Sequence, residues 1–389
     1  MTILLGLAVF VVGMDTYIVA AVLPAVADDL REPISSVGLI ASAYALPVAL
    51  LSPVFGPLSD RRGRRFALLV GLSIFTGAAV ACAVAPSLPF LLVARVINGI
   101  GSAILMPAAF AAAGDLDSNA ARTRALAILA ATFPLANLLG LPAGALATTV
   151  GGWRAPFILV ALLAGLAIAG VATSTRIPRA TTSQRTYAQT FARVLRDRQA
   201  LAVMSVTLIW FTGGFGLFIY MGEFAHRTFG LPVVQAGLVY LVVGFAGIVA
   251  ARTSGVVQQR VGARRVLLTG LSVAGVAVFL VPLAPALPVA LLLFAAWAAA
   301  TWFGIPAMQT IVASLSSSAR GTMLAFNSSA LNLGSVIGPI VTGRIIDDAG
   351  FGTAGLWSAF LFACALILAV QVLPHREPEV VADEPVAIA

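Results

Sequence analysis

The sequence predicts an all-α membrane protein in which twelve transmembrane helices form two pseudo-symmetric six-helix bundles. Three observations lead to this prediction: an apolar composition, twelve long apolar stretches and an internal repeat. Of the 389 residues, 60% are hydrophobic and only 10% are charged. The mean hydropathy is +1.03. A water-soluble globular protein carries roughly a quarter charged residues, so the composition excludes that class and places the chain in a lipid bilayer.

Apolar stretches long enough to cross a bilayer occur twelve times. A hydrocarbon core about 30 Å thick needs about 20 apolar residues per helix. By that measure the predicted spans are residues 2–24, 35–57, 66–86, 88–112, 123–148, 155–175, 200–222, 232–253, 266–284, 286–313, 321–346 and 353–373. No basic segment precedes the first span, so we interpret it as a retained helix and not as a cleaved signal peptide.

One long polar interruption separates six predicted spans from six. The predicted domains are an N-terminal six-helix bundle at 1–175, a cytoplasmic linker at 176–199, a C-terminal six-helix bundle at 200–373 and a disordered cytoplasmic tail at 374–389. Within the linker, residues 187–196 have the periodicity of an amphipathic helix on the membrane surface.

The arginines predict the orientation of the chain. All of the basic residues are Arg, and eighteen of them fall in loops on one side of the membrane while four fall on the other. Because basic residues concentrate on the cytoplasmic side, both termini and the central linker are expected in the cytoplasm. This distribution also accounts for the net charge of +8, so no nucleic-acid partner is expected.

An internal duplication is visible in the loops. Residues 56–65 are rich in glycine and arginine, and a degraded copy of this segment follows about 199 residues later at residues 255–265. Gly140 and Gly338 correspond at nearly the same offset. Two related halves are the plan of many transporters.

The loop between the second and third spans carries a specific signature. It reads Gly-Pro-Leu-Ser-Asp-Arg-Arg-Gly-Arg-Arg from Gly56 to Arg65. It resembles the loop signature of the major facilitator superfamily, G-x-x-x-D-R-x-G-R-R/K, at every defined position. The resemblance implies the major facilitator fold and a conformational latch on the cytoplasmic side. The residues expected to form this latch are Gly56, Asp60, Arg61, Gly63, Arg64, Arg65 and Asp115.

The latch is expected to join the ends of helices on the cytoplasmic side. Asp60 should face the N-terminus of span 11, where the helix dipole favours an anion, and Arg64 or Arg61 should reach Asp115. We expect these contacts only when the cytoplasmic side is closed, so that the latch stabilises the outward-facing state. The alternative is a positively charged membrane anchor, which explains the arginines but not Asp60 or the glycines.

Two charged residues lie well inside predicted spans, away from the span ends. The segment from Leu91 to Gly101 resembles the fourth-span signature l-x-x-x-R-x-x-q-G of the same family, with Asn98 in place of Gln. A charge at the depth of Arg95 costs at least ~2.5 kcal/mol on insertion scales, and Asp15 in span 1 lies at a similar depth. We predict that Asp15 carries the coupling proton and that Arg95 modulates it. The alternative is a permanent structural ion pair between spans 1 and 4.

Span 5 contains the sequence Gly-Leu-Pro-Ala-Gly from Gly140 to Gly144. Together with Gly152-Trp153-Arg154 it resembles the antiporter signature of drug/proton exporters, with a spacing found in the arabinose-efflux-like and chloramphenicol-exporter-like subgroup. We expect Gly140, Pro142 and Gly144 to form a hinge at a rocking interface. The alternative is ordinary packing of small residues.

Polar and aromatic residues within the spans are candidates for a substrate cavity. They are Tyr17, Tyr44, Asn98, Asn137, Trp210, Phe211, Tyr220, Trp302, Gln309, Asn327 and Asn332. A mostly apolar cavity with scattered hydrogen-bonding groups suits neutral or lipophilic molecules. For each residue the alternative is ordinary helix packing. Glu223 is expected to be a solvated boundary residue, and the alternative is a second proton or cation site.

The sequence contains no nucleophile elbow, Walker loop or paired metal ligands, so neither an enzyme nor a metal or cofactor site is expected. The resemblance implies a secondary active transporter, driven by the proton gradient, that exports drugs in exchange for protons by alternating access. Its partners would be the small-molecule substrate, protons and the lipid bilayer, and it would act as a monomer in the bacterial cytoplasmic membrane. The alternatives are a sugar or metabolite exporter, an uptake symporter, and a non-transporting receptor or scaffold.

Overall fold

A computed structural model describes residues 2–116, 118–174, 194, 196–315 and 320–373. The described part of the chain consists of helices and turns and contains no β-strand. The tail and nearly all of the linker, including its predicted amphipathic helix, lie outside these residues. The predicted domain boundaries therefore stay predictions.

Several helices are longer than the apolar stretches that predicted them. The bounds of the helices are α1 Thr2–Leu30, α2 Ile34–Arg62, α3 Arg64–Ala83, α4 Leu88–Gly114, α5 Asn119–Gly151, α6 Ala155–Thr173, α7 Arg198–Ile219, α8 Met221–Phe229, α9 Val233–Val261, α10 Ala263–Leu280, α11 Leu287–Ser314 and α12 Arg320–Val372. The longer ones include α1, α2, α5 and α9. Short 3₁₀ turns at Gly152–Arg154 and Val281–Leu283 follow α5 and α10.

Two glycines divide long helical stretches into separate spans. The described chain has ten stretches that are long and apolar enough to cross a membrane. Two of them, Leu138–Thr173 and Thr322–Val372, contain a glycine with positive φ, at Gly152 (φ 65°) and Gly350 (φ 78°). Such φ values interrupt a helix and are accessible mainly to glycine. Each of these stretches therefore holds two spans, and the predicted number of twelve is confirmed.

The two halves have the same glycine turns and the same close helix contacts at matched positions. Gly63 (φ 92°, ψ 143°) and Gly262 (φ 87°, ψ 148°) have nearly identical conformations and lie 199 residues apart. A Cβ at Gly71 would lie 3.0 Å from the carbonyl oxygen of Gly101, and one at Gly270 would lie 3.0 Å from that of Ala300. The predicted duplication is therefore visible in the packing as well as in the sequence.

The two halves meet tightly on one side of the membrane. We call the side that holds the α2–α3 turn the inner side and the opposite side the outer side. Towards the outer side, the Ser42 hydroxyl of α2 donates a hydrogen bond to the carbonyl oxygen of Val336 of α12 (2.7 Å). The rings of Tyr17 in α1 and Phe218 in α7 pack edge to face at 5.9 Å. These contacts close the outer side between the halves.

A single tyrosine ring fills the outer contact between α2 and α12. Tyr220 lies at the bend between α7 and α8 and donates a hydrogen bond to the carbonyl oxygen of Pro339 (2.9 Å). A Cβ added at Gly38 of α2 or at Gly343 of α12 would overlap the Tyr220 hydroxyl. The ring thus needs a glycine on each side, one from each half of the molecule.

Candidate functional site

A buried ion pair joins α1 and α4 in the N-terminal half. Nη1 of Arg95 donates a hydrogen bond to Oδ2 of Asp15 at 2.7 Å. Both residues are 0% exposed. Buried charges need partners because their desolvation is expensive, and each of these residues is the counter-ion of the other.

Three further contacts hold the Arg95 guanidinium in place. Its Nε donates a hydrogen bond to the carbonyl oxygen of Ile40 in α2 (3.2 Å), and its Nη1 also lies 3.4 Å from Oδ1 of Asn98. The Tyr44 ring covers one face of the guanidinium, with Cζ 4.5 Å from the ring centroid. A cation over an aromatic face is stabilised by the ring quadrupole.

The pair leaves two polar atoms unused. Oδ1 of Asp15 and Nη2 of Arg95 are buried and have no hydrogen-bond partner among the described residues. Buried polar atoms in native proteins are nearly always paired, so such atoms call for an explanation. The unused oxygen of Asp15 is a place where this site could accept a proton.

Glycines on α4 and α5 bring the surrounding helices close to the pair. A Cβ at Gly99 would overlap the backbone of Tyr44 in α2, and one at Gly101 would lie 2.6 Å from the backbone nitrogen of Phe75 in α3. A Cβ at Gly140 of α5 would lie 3.0 Å from Cγ of Met14, the neighbour of Asp15. Close packing of α5 thus occurs against α1 of the same half, as it does at Gly144.

Hydroxyl groups that the sequence analysis did not identify complete the cluster. The Tyr44 hydroxyl lies 2.8 Å from the Ser102 hydroxyl and 3.4 Å from the Thr16 hydroxyl. Ser102 lies seven residues after Arg95, which places both on one face of a helix. That spacing was the available signal for Ser102, whereas Thr16 has only its position beside Asp15.

Several residues proposed for the substrate cavity are buried in other contacts in this conformation. Tyr44 and Asn98 belong to the ion-pair cluster, and Tyr220 fills the outer contact. Trp210 is 3% exposed and packs beside Gly304, and Asn327 accepts a hydrogen bond from Thr207 (2.7 Å). These side chains therefore do not face a common open cavity here, because each is already in contact with its own neighbours.

The other candidates for the cavity are more accessible. Tyr17, Phe211 and Trp302 are partly buried, whereas Gln309 is exposed. Asn332 donates a hydrogen bond to the carbonyl oxygen of Ser328 in its own helix (2.8 Å). The side chain of Asn137 lies outside the described residues. The binding role of all these residues stays a prediction.

Part of the predicted latch is present within one half. Nε of Arg64 lies 2.8 Å from Oδ2 of Asp115 and joins the start of α3 to the end of α4. Arg65 donates to the carbonyl oxygen of Ala172. Both contacts lie in the N-terminal half and occur while the outer side is closed. The expectation that the latch forms only when the inner side is closed stays a prediction.

The remaining latch residues cannot be placed in the same detail. The backbone of residues 56–62 is helical and Gly63 makes the turn into α3. This segment contains Gly56, Asp60 and Arg61, and its side chains lie outside the described part of the structure. The expected contact of Asp60 with the N-terminus of span 11 stays a prediction.

Glu223 is not the solvated boundary residue that the sequence led us to expect. It is 6% exposed and forms an ion pair with Arg227 one turn later in α8. α8 begins directly after Tyr220, the residue whose ring fills the outer contact between α2 and α12. Glu223 lines an outer cavity of about 350 Å³ together with Asp28, Glu32, His226, Arg227 and Asp347.

The comparisons with known proteins agree with this architecture. The family model described as Major Facilitator Superfamily matches residues 5–256 and again residues 248–387. The chain is 31% identical over 382 residues to a chloramphenicol resistance protein of Streptomyces lividans, covering 94% of each chain. It is 26% identical over 387 residues to the inner membrane transport protein YdhP of Escherichia coli (strain K12), covering 97% of this chain and 96% of that protein.

Solved structures show the same fold at low identity. A D-xylose-proton symporter superposes with a TM-score of 0.79 at 17% identity, covering 96% of this chain and 97% of that chain. A bacterial homolog of the human lysosomal transporter Spinster, in an inward-facing and occupied conformation, also gives 0.79 at 17% identity, covering 95% and 96%. The predicted arrangement of twelve helices in two bundles is confirmed.

Proposed function

The chain belongs to the Major Facilitator Superfamily, and from this premise we propose that it exports small neutral or lipophilic organic molecules in exchange for protons. The single observation that carries the exchange is the buried Asp15–Arg95 pair, which includes one carboxylate oxygen without a described partner. The family membership makes the chain a multi-pass membrane transporter. It acts by alternating access, powered by the proton gradient and without a cofactor.

Drug efflux is the form of export that one relative favours. The name of the Streptomyces lividans protein connects it with chloramphenicol resistance, and the alignment covers almost the whole chain. Chloramphenicol is therefore the first substrate to test. We place the protein in the bacterial cytoplasmic membrane as a monomer. Its arginine distribution predicts that both termini lie in the cytoplasm.

The proposed exchange depends on the charge of Asp15. Without a proton, its carboxylate neutralises Arg95 and the pair holds α1 to α4. A proton on the free oxygen removes that counter-ion and weakens the tie between the two helices. Such a change in the contacts between helices can favour one of the two access states over the other. Release of the proton to the cytoplasm restores the pair.

The experiment follows chloramphenicol and protons together in proteoliposomes. Radiolabelled chloramphenicol and a pH-sensitive dye report the two fluxes, and Asp15→Asn is expected to lose the substrate-dependent proton flux because it cannot be protonated at this site. Asp29→Asn is the matched control, since Asp29 lies at the outer end of the same helix and pairs with Arg154. Retained proton flux in Asp15→Asn would exclude the proposed role.

The same vesicles separate the alternatives. An uptake symporter would move protons and substrate in the same direction, and a sugar or metabolite exporter would respond to those compounds and not to chloramphenicol. A receptor or scaffold would give no flux dependent on the gradient.

A further inference from the structure

Protonation of Asp15 would leave Arg95 as a buried cation without a counter-ion. The inference rests on the proposed proton exchange. The structure places another hydrogen-bond acceptor beside Arg95. Asn98 lies three residues after Arg95 on the same face of α4, and its Oδ1 is 3.4 Å from Nη1 of Arg95. The same Nη1 donates to Asp15 at 2.7 Å. Oδ1 of Asn98 is therefore a second acceptor for Nη1 of Arg95, the same group that donates to Asp15 in this structure.

The orientation of the Asn98 side chain is fixed by a contact with α3. Its Nδ2 donates a hydrogen bond to the carbonyl oxygen of Phe75 (3.2 Å), and Asn98 is fully buried. Because the amide nitrogen is used in this way, the amide oxygen faces Arg95. Gly101 permits this contact, since a larger residue there would keep α3 away from α4.

The other groups around the guanidinium cannot replace a counter-ion equally well. The titratable or charged groups that face it among the described residues are Asp15 of α1, Tyr44 of α2 and Cys82 of α3. Tyr44 presents its ring, while its hydroxyl contacts Ser102. Ile40 offers a carbonyl oxygen that Nε already uses, and α5 approaches this region with Gly140. Asn98 supplies a side-chain oxygen within 3.4 Å of Nη1, beside that of Asp15.

We propose that Asn98 is a positioning residue for the coupling site: it receives the Arg95 donor when Asp15 is protonated and thereby sets the pH at which exchange operates. The amide stabilises the state in which Asp15 is neutral and Arg95 is charged. Its removal makes that state less favourable, and a carboxylate in its place makes it more favourable. A residue that only packs the helices would not have these opposite effects.

The test uses substitutions of similar size that remove the acceptor, add a negative charge or keep the amide. Asn98→Leu removes the acceptor, so the pH of half-maximal Asp15 protonation should fall by about one unit, the size expected for one hydrogen bond to a charged group. Asn98→Asp adds a negative charge, so the same midpoint should rise by about one unit or more. Asn98→Gln keeps the amide and should stay near the wild type. Thr212→Val, in α7 of the other half, is the control and should cause no shift, because the Thr212 hydroxyl donates to the carbonyl oxygen of Leu208 in its own helix (2.8 Å).

Two readouts separate this inference from the proposed function. The carbonyl stretching band of protonated Asp15, identified by its loss in Asp15→Asn, is titrated by infrared spectroscopy in purified protein. The pH dependence of chloramphenicol–proton exchange is measured in proteoliposomes. If the band shifts as expected but the wild type exchanges no protons, the effect of Asn98 on Asp15 protonation stands, whereas the proposed function and the control of exchange by pH both fail.

The opposite outcome is also decisive. If the wild type exchanges protons but the band midpoints of Asn98→Leu and Asn98→Asp coincide or move in the same direction, the inference is wrong. Thermal unfolding in detergent identifies variants that do not fold. Should Asn98→Leu fail to fold, the comparison of Asn98→Asp with Asn98→Gln decides, and the absence of an upward shift in Asn98→Asp overturns the proposal.

Discussion

Arg95 is held by side chains from three helices, and each contact can be removed separately. Asp15 supplies the charge, Asn98 supplies an amide oxygen and Tyr44 supplies an aromatic face. Removal of one partner from a buried ion pair typically costs about 3–5 kcal/mol, because the other charge stays buried without compensation. The cation therefore depends on all of its neighbours whenever Asp15 is neutral.

The Tyr44 ring should matter more than its hydroxyl. Tyr44→Phe keeps the face that covers Arg95 and loses the contact with Ser102, so the proposed chloramphenicol export should stay within about twofold of the wild type. Tyr44→Leu removes a desolvated cation–π contact worth about 2 kcal/mol, and export should fall by about tenfold or more. Initial rates in proteoliposomes, normalised to folded protein, measure both effects. Equal losses in the two variants would show that the ring face has no special role.

The sequence permits prediction of the ion pair but not of its surroundings. Asp15 and Arg95 each lie in an apolar span, and two opposite charges at similar depth need each other. Asn98 and Tyr44 are different, because a polar residue within a helix does not reveal which neighbouring helix it meets. Their contacts depend on the approach of α2 and α3 to α4, which Gly99 and Gly101 permit.

At the scale of the helices, the outer closure depends on the packing of α2 against α12. Gly38 and Gly343 enclose the Tyr220 ring from opposite halves. From the sequence, Tyr220 is a candidate for the substrate cavity, because an aromatic residue in a span fits either role. For several helices hydropathy also gave a span shorter than the helix: α1 continues to Leu30, beyond the predicted end at residue 24, because such helices extend past the apolar core of the bilayer.

A methyl group at Gly38 should open the outer side. In Gly38→Ala the new Cβ overlaps the Tyr220 hydroxyl, so the closed contact becomes unfavourable while the open state is unaffected. A cysteine placed at Ala27, which lines the outer cavity, should then react several-fold faster with a membrane-impermeant maleimide. Gly77→Ala is the control, because nothing lies within 4 Å of the new Cβ there. Equal labelling rates in Gly38→Ala and Gly77→Ala would contradict the role of Tyr220 in closure.

At the scale of the whole molecule, the two halves share their backbone turns and helix packing, but they differ at the position of Asp15. The matched turns at Gly63 and Gly262 and the matched approaches at Gly71 and Gly270 follow one plan. The position of Asp15 corresponds to a glycine in the second half, Gly213 or Gly214 according to the offset. Repeats in the sequence could predict the shared scaffold, whereas the way the halves meet depends on surfaces that differ between them.

The two matched turns should be equally sensitive to substitution. Gly63→Ala and Gly262→Ala force a side chain into a backbone region that is almost restricted to glycine, and each should destabilise the protein by about 1–3 kcal/mol. Gly165→Ala serves as the control, since this helical glycine has open space around it. Unfolding in detergent gives the three values. A large loss for one turn and none for the other would mean that the halves do not use these glycines in the same way.

The neutrality of the Asp15–Arg95 pair has an electrical consequence. As an ion pair, the two groups carry no net charge, so the membrane voltage exerts little force on this part of the protein while it rearranges. A proton on Asp15 would leave one positive charge in the span, and a charge that crosses the full voltage exchanges about 2.3 kcal/mol with the field for every 100 mV. The proton-loaded rearrangement would therefore be the voltage-dependent step of the cycle, and the return without a proton would be almost independent of voltage.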